Sequence, residues 1–180
     1  MKKILLLFIL ICMASLAVFI VTRTRANGTG VVQSSQNSET GDSLLCVFYA
    51  NTYLSMDMNG IVCANNSYKP EHIPIAEGVD FTRLTFGKRA QPVENRALEY
   101  VIKVAACLEK HGIEADKIIY HNRMITVCAG RLKIELGKND KTDDKINDLD
   151  NFIDKLSGMS GTLYMQNANA NNYGYTFRAD

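Results

Sequence analysis

Apolar positions along the chain fall into three regimes. From Ile4 to Val21 the sequence reads ILLLFILICMASLAVFIV, eighteen residues in which Ser15 alone is conventionally polar. From Thr22 to Ser43 only three of twenty-two residues are apolar, namely Ala26, Val31 and Val32. From Leu44 to Asp180 apolar residues return, 63 in 137, with the periods of strands and helices. Leu44 to Met58 is rich in apolar and aromatic residues without helical spacing, and predicts a strand. Asn59-Gly60 is a pair favoured in two-residue type I′ turns, so Ile61 to Ala64 begins the return strand, with Met58 opposite Ile61 and Met56 opposite Cys63. Asn65 to Gly78, which contains Pro70 and Pro74, predicts a loop, and Asp80 to Thr85 a short strand.

Pro92 is suited to the first turn of a helix, where its missing N–H costs nothing. Leu98, Val101, Ile102, Ala105 and Leu108 follow at helical spacing, with Gly112 as the stop. Lys117–His121, Met124–Cys128 and Leu132–Leu136 predict three strands joined by tight turns; in the last, Leu132, Ile134 and Leu136 alternate with Lys133 and Glu135. Thr142 predicts the cap of a second helix, with Asp143 and Asp144 in its first turn and Ile146, Leu149, Phe152, Ile153 and Leu156 on one face. Gly161-Thr162-Leu163-Tyr164-Met165 and Tyr173 to Phe177 predict the last two strands. The fold class expected is α+β: a single N-terminal transmembrane helix, then a mostly antiparallel sheet with two amphipathic helices.

Eighteen helical residues span about 27 Å, close to the thickness of a bilayer's hydrocarbon core. The apolar run also exceeds the roughly 7–15 residues of a cleaved signal's core. Ala14-Ser15-Leu16-Ala17 could serve as a cleavage site, but it lies inside the run. Residues 1–22 are thus expected to form a short cytoplasmic tail and transmembrane anchor inserted in the lipid bilayer through residues 4–21. Residues 23–43 form a polar flexible linker, and residues 44–180 an extracytoplasmic domain. A three-residue tail ahead of a large C-terminal domain sets the orientation, because the flanking Lys2, Lys3, Arg23 and Arg25 balance.

Charge and chemistry narrow the function classes. Lys+Arg 20 against Asp+Glu 19 gives a net charge of +1, without the basic face of a nucleic-acid binder. Cys46, Cys63, Cys107 and Cys128 would lie outside the cytoplasm and allow three pairings if all are joined. Their irregular spacing favours unpaired, buried thiols over disulfides or a zinc site. His72, His111 and His121 belong to no recognisable motif, and neither a P-loop nor a nucleophile elbow is present. The run Asp140–Asp154 has the apolar spacing of a solvated helix face rather than the ligand pattern of a calcium loop. No cofactor or metal site is read from the chain, and enzymatic activity is not expected; a Cys/His nucleophile is the alternative within that class.

The positive feature is a concentration of aromatic residues near the C-terminus: Tyr164, Tyr173, Tyr175 and Phe177. Such residues can simply cover a core, but a terminal strand is also a sheet edge open to another chain.

The order of motifs resembles the FtsQ/DivIB family of bacterial cell-division proteins. Asp57-Met58-Asn59-Gly60-Ile61-Val62 is similar to that family's hairpin, and Ile73-Pro74-Ile75 with Gly78 to its apolar-Pro-x-x-x-Gly segment. Leu136-Gly137 followed by Lys145-Ile146 and Leu149 looks like its strand end and helix. Gly161–Met165 resembles the strand after that helix, with Tyr164 where the family more often has an acidic residue. The resemblance covers about Leu45 to Gln166. It implies a non-enzymatic, bitopic divisome scaffold at the septum, whose partners are FtsL-like and FtsB/DivIC-like bitopic coiled-coil proteins paired to the edge of its sheet. The partner-binding residues implied are Gly161, Thr162, Leu163, Tyr164 and Met165, extended to Tyr173, Tyr175 and Phe177. The family's POTRA module has no counterpart in the short linker. A cell-envelope module outside division is the other reading.

Overall fold

The computed structural model of the chain describes residues 43–138, 141–166 and 174–180. The expected anchor and almost all of the linker lie outside these residues. Among the described residues no helix is long and apolar enough to cross a membrane.

Among the described residues, eleven strands and three helices follow one another as β1 (Leu45–Tyr49), β2 (Thr52–Met56), β3 (Val62–Asn66), β4 (Ile75–Glu77), β5 (Phe81–Arg83), β6 (Gln91–Pro92), α1 (Asn95–Lys110), β7 (Lys117–His121), β8 (Met124–Ala129), β9 (Leu132–Gly137), α2 (Thr142–Asp150), α3 (Ile153–Leu156), β10 (Gly161–Tyr164) and β11 (Thr176–Ala179). Nine strands form one sheet in the order β11-β10-β9-β8-β7-β4-β1-β2-β3, while β5 and β6 pair separately. Three contacts in the large sheet are parallel, β1–β4, β4–β7 and β9–β10. The remaining neighbours are antiparallel, so the domain is α+β with a mixed, mostly antiparallel sheet.

One face of this sheet is apolar. Ile118, Val127, Ile134 and Leu163 stand abreast on β7 to β10, all buried, and join Leu98, Val101, Val104 and Leu108 of α1 and Ile146 and Leu149 of α2 in a single core. Helix α1 ends in two reverse hydrogen bonds, Gly112 N–H to the Glu109 carbonyl (3.0 Å) and Ile113 N–H to the Leu108 carbonyl (2.9 Å). The buried Ile113 side chain then seals the end of the helix.

Several expectations need correction. Leu44–Met58 is a hairpin rather than one strand: Ala50 and Asn51, at φ 48° and 64°, form a two-residue turn in the left-handed region. The next connection is built on Asp57, whose carboxylate accepts the N–H groups of Asn59 (2.9 Å) and Ile61 (2.8 Å). A bulge at Ser55/Met56 sets Met56 opposite Val62 instead of Cys63. The segment read as a loop supplies β4, which lies between β1 and β7. Pro92 lies in β6, a two-residue strand, and α1 starts three residues later. Lys141, not Thr142, precedes α2; Thr142 is its first residue and is buried. The second helix breaks at Asn151–Phe152, so Ile153–Leu156 is a separate turn. All four described cysteines are free, and only Cys46 is buried.

Candidate partner-binding edge

The two ends of the sheet differ. On β3 the edge is obstructed where the strand begins: Val62 N–H donates to the Lys88 carbonyl (3.0 Å) and Gly87 N–H to the Val62 carbonyl (2.8 Å). On the other side the sheet ends in β11, whose outer edge carries no strand among the described residues.

The residues expected to bind a partner divide between these last two strands. Gly161, Thr162, Leu163 and Tyr164 form β10, which is an interior strand, parallel to β9 and antiparallel to β11. Gly161 and Leu163 are buried, and Met165, just beyond the strand, is buried with its N–H on the Glu135 carbonyl (2.9 Å). Thr162 and Tyr164 are half-buried on the opposite face of the sheet from Leu163. Strand addition at β10 is therefore blocked by β11. Tyr173 lies outside the described residues. Tyr175 directly precedes β11, and Phe177 lies within it opposite Leu163. Among the described residues the terminal strand runs Thr176–Ala179, two residues past the end expected at Phe177.

That placement follows from how the chain end is held. Gly161, at φ +149°, faces Ala179, and a Cβ at Gly161 would sit 2.3 Å from the Arg178 carbonyl oxygen, so only glycine permits this approach. Asp180 N–H donates to the Ser160 carbonyl (3.4 Å), and Ser160 Oγ to the Asp180 carboxylate (2.6 Å). On its other side β10 is fastened to β9 through the N–H groups of Gly161 and Met165.

These bonds determine which backbone groups of β11 face β10 and which face away from it. Antiparallel pairs alternate between hydrogen-bonded and non-bonded. With Asp180 opposite Ser160 in a bonded pair, Arg178 and Thr176 also turn their N–H and C=O toward β10. Phe177 and Ala179 turn theirs outward. This outer edge, unpaired among the described residues, is about 13 Å long at roughly 3.3 Å per residue.

Beside this edge lies a groove of about 570 Å³ lined by Asp144, Asn147, Asp148, Asn151, Phe152 and Tyr175. The Tyr175 hydroxyl donates to the Asp148 carboxylate. Its ring lies against Phe152 with centroids 6.0 Å apart at 43°. Phe177 packs on the same core. Phe152, Asp148, Ala179 and Arg178 were not legible as site residues. The helical spacing of Phe152 accounts for it as core, and Ala179 and Arg178 have no pattern of their own.

Each of the three histidines has a side-chain partner. His72 meets Glu114 (3.1 Å), His111 meets Asp150 (2.9 Å) and His121 meets Asn122 (2.9 Å). Cys107 Sγ donates to Asp143 (3.0 Å), which also binds Lys103 (2.7 Å). Partial burial and this carboxylate push the Cys107 thiol up to about 11, opposite to the shift that activates a nucleophile. Bonds from Cys107 and Lys103 hold Asp143 below the usual carboxylate range.

Comparison with protein-family models, with curated proteins and with solved structures found no match to this chain.

Proposed function

We propose that this protein is a membrane-anchored scaffold of the bacterial division apparatus, held by residues 4–21, which binds other bitopic division proteins by accepting a strand on β11. The observation that carries this reading is the outward-facing backbone of Phe177 and Ala179 on a terminal strand. Its far side is tied to the core through Gly161, Tyr175 and Ser160. Such an edge gives affinity through main-chain hydrogen bonds and specificity through alternate side chains. The resemblance to the FtsQ/DivIB β-domain supports the choice of partners, FtsL-like and FtsB/DivIC-like coiled-coil proteins, and of the septum as the place of action. The alternating pattern of inward and outward groups supports β11 as the contact strand, with β10 behind it.

The test is capture of the full anchored chain from native membranes, paired with imaging of a fluorescent fusion. FtsL-like and FtsB/DivIC-like proteins are expected in the eluate, and the fusion is expected at mid-cell. An eluate without such proteins, from a bait whose domain is folded, contradicts the proposal. Uniform fluorescence with normal septa after depletion favours an envelope role outside division.

A further inference from the structure

We infer that the strand accepted by β11 carries a lysine or arginine at the helix-facing position nearest Tyr175, and that this residue sets the specificity of the edge. The inference rests on the strand-addition reading and adds the chemistry of the partner to it.

A strand added to β11 lies about 4.8 Å beyond it, with alternate side chains turned to the helix side of the sheet. On that side β11 presents Phe177, and Tyr175 directly precedes it; both are half-buried, so an incoming strand meets aromatic surface there. Next to Tyr175 the surface changes character. The groove holds two carboxylates, Asp144 and Asp148, and two carboxamides, Asn147 and Asn151, with no cationic side chain among the described residues that line it. Asp148 is already oriented by the Tyr175 hydroxyl, which fixes its carboxylate beside the edge. Asp144 is exposed, and the salt bridges of the described residues do not include it.

A lysine or arginine suits this composite surface better than a small polar or acidic residue. Its methylene stem packs on the rings of Tyr175 and Phe152 while its cationic head reaches the carboxylates. An acidic side chain at the same position meets two like charges, which excludes wrong partners as effectively as the attraction selects right ones. Backbone pairing supplies adhesion that any extended segment can share, so this charge is what distinguishes one segment from another.

The experiment pans a displayed library of random ten-residue peptides on the full chain in detergent micelles at low salt. Ala179→Pro serves as counter-selection, because it removes only an outward N–H. Peptides that bind the native edge and not the Ala179→Pro chain are expected to carry Lys or Arg at one position, enriched about tenfold over the input library. The enrichment is expected to disappear on the Asp144→Asn/Asp148→Asn double variant, which keeps acceptors for the Tyr175 hydroxyl. Edge-dependent peptides without a basic preference overturn this inference and leave the strand-addition reading standing. Failure to recover any edge-dependent peptide overturns both. Concentration-dependent dimerisation of the chain abolished by Ala179→Pro assigns the edge to a second copy and also overturns the inference.

Discussion

Gly161 and Cys107 show how single residues constrain what the domain can do. At Gly161 a methyl group would collide with the Arg178 carbonyl at 2.3 Å, a contact with backbone that cannot swing aside. Gly161→Ala is expected to cost about 2–3 kcal/mol, the scale of overpacking in a close-packed interior. Thermal melting checks this, and an unchanged midpoint contradicts it. At Cys107, partial burial and the hydrogen bond to Asp143 raise the thiol to about 11, so the neutral form dominates at physiological pH. Its alkylation rate is expected to rise about tenfold per pH unit from pH 8 to 10 without levelling, because only the thiolate reacts. Asp143→Asn removes the charge that disfavours the thiolate and is expected to accelerate the reaction at pH 8. A plateau near pH 9 in the native chain contradicts this account. Gly78 makes a similar demand: at φ +79° a Cβ there would lie 2.0 Å from the Tyr120 carbonyl oxygen.

At the scale of the element, β11 makes opposite demands on neighbouring residues. Ala179 points its N–H outward, so Ala179→Pro is expected to leave the melting temperature nearly unchanged, as proline is tolerated where an edge faces solvent. Arg178 points its N–H to β10, so Arg178→Pro is expected to detach the strand. Hydrogen exchange of the Thr176–Asp180 amides distinguishes the two; equal protection in both variants contradicts the assigned alternation. Tyr175→Phe, which loses the bond to Asp148, is expected to weaken the docking of β11 by about 1 kcal/mol.

Much at this level was legible in the sequence, for physical reasons. Strands β7, β8 and β9 lie within a residue of expectation, because a sheet with one buried face imposes a two-residue alternation. The break between α2 and α3 was hidden because Phe152, Ile153 and Leu156 keep helical spacing across it. The β1–β2 turn uses Ala50-Asn51, which lacks the glycine of a typical signal, and β4 is a three-residue strand between parallel partners that only the assembled sheet provides. A last strand was legible near the C-terminus, but of its expected aromatic residues only Phe177 lies in β11, and its register was hidden because Ser160, Gly161 and Asp180 fix it through tertiary contacts.

Across the whole molecule, the segments that carry the family resemblance work on the fold rather than on the edge. Asp57 ties the β2–β3 connection. Leu136 and Lys145 touch directly, the buried Lys145 ammonium donating to the Leu136 carbonyl at 2.8 Å, while the Tyr100 hydroxyl donates to Gly137 (2.9 Å). Gly161 admits β11. These residues specify a sheet that ends, among the described residues, in β11, and it is to Phe177, Ala179 and the groove beside Tyr175 that the proposal assigns the choice of partner. The central claim is that partners pair with the outer backbone of β11. The most direct measurement compares capture of FtsL-like and FtsB/DivIC-like proteins by the native anchored chain and by Ala179→Pro, at equal expression and equal thermal stability. The account predicts recovery by the native chain and at least a tenfold loss in the variant; equal recovery by both would contradict it.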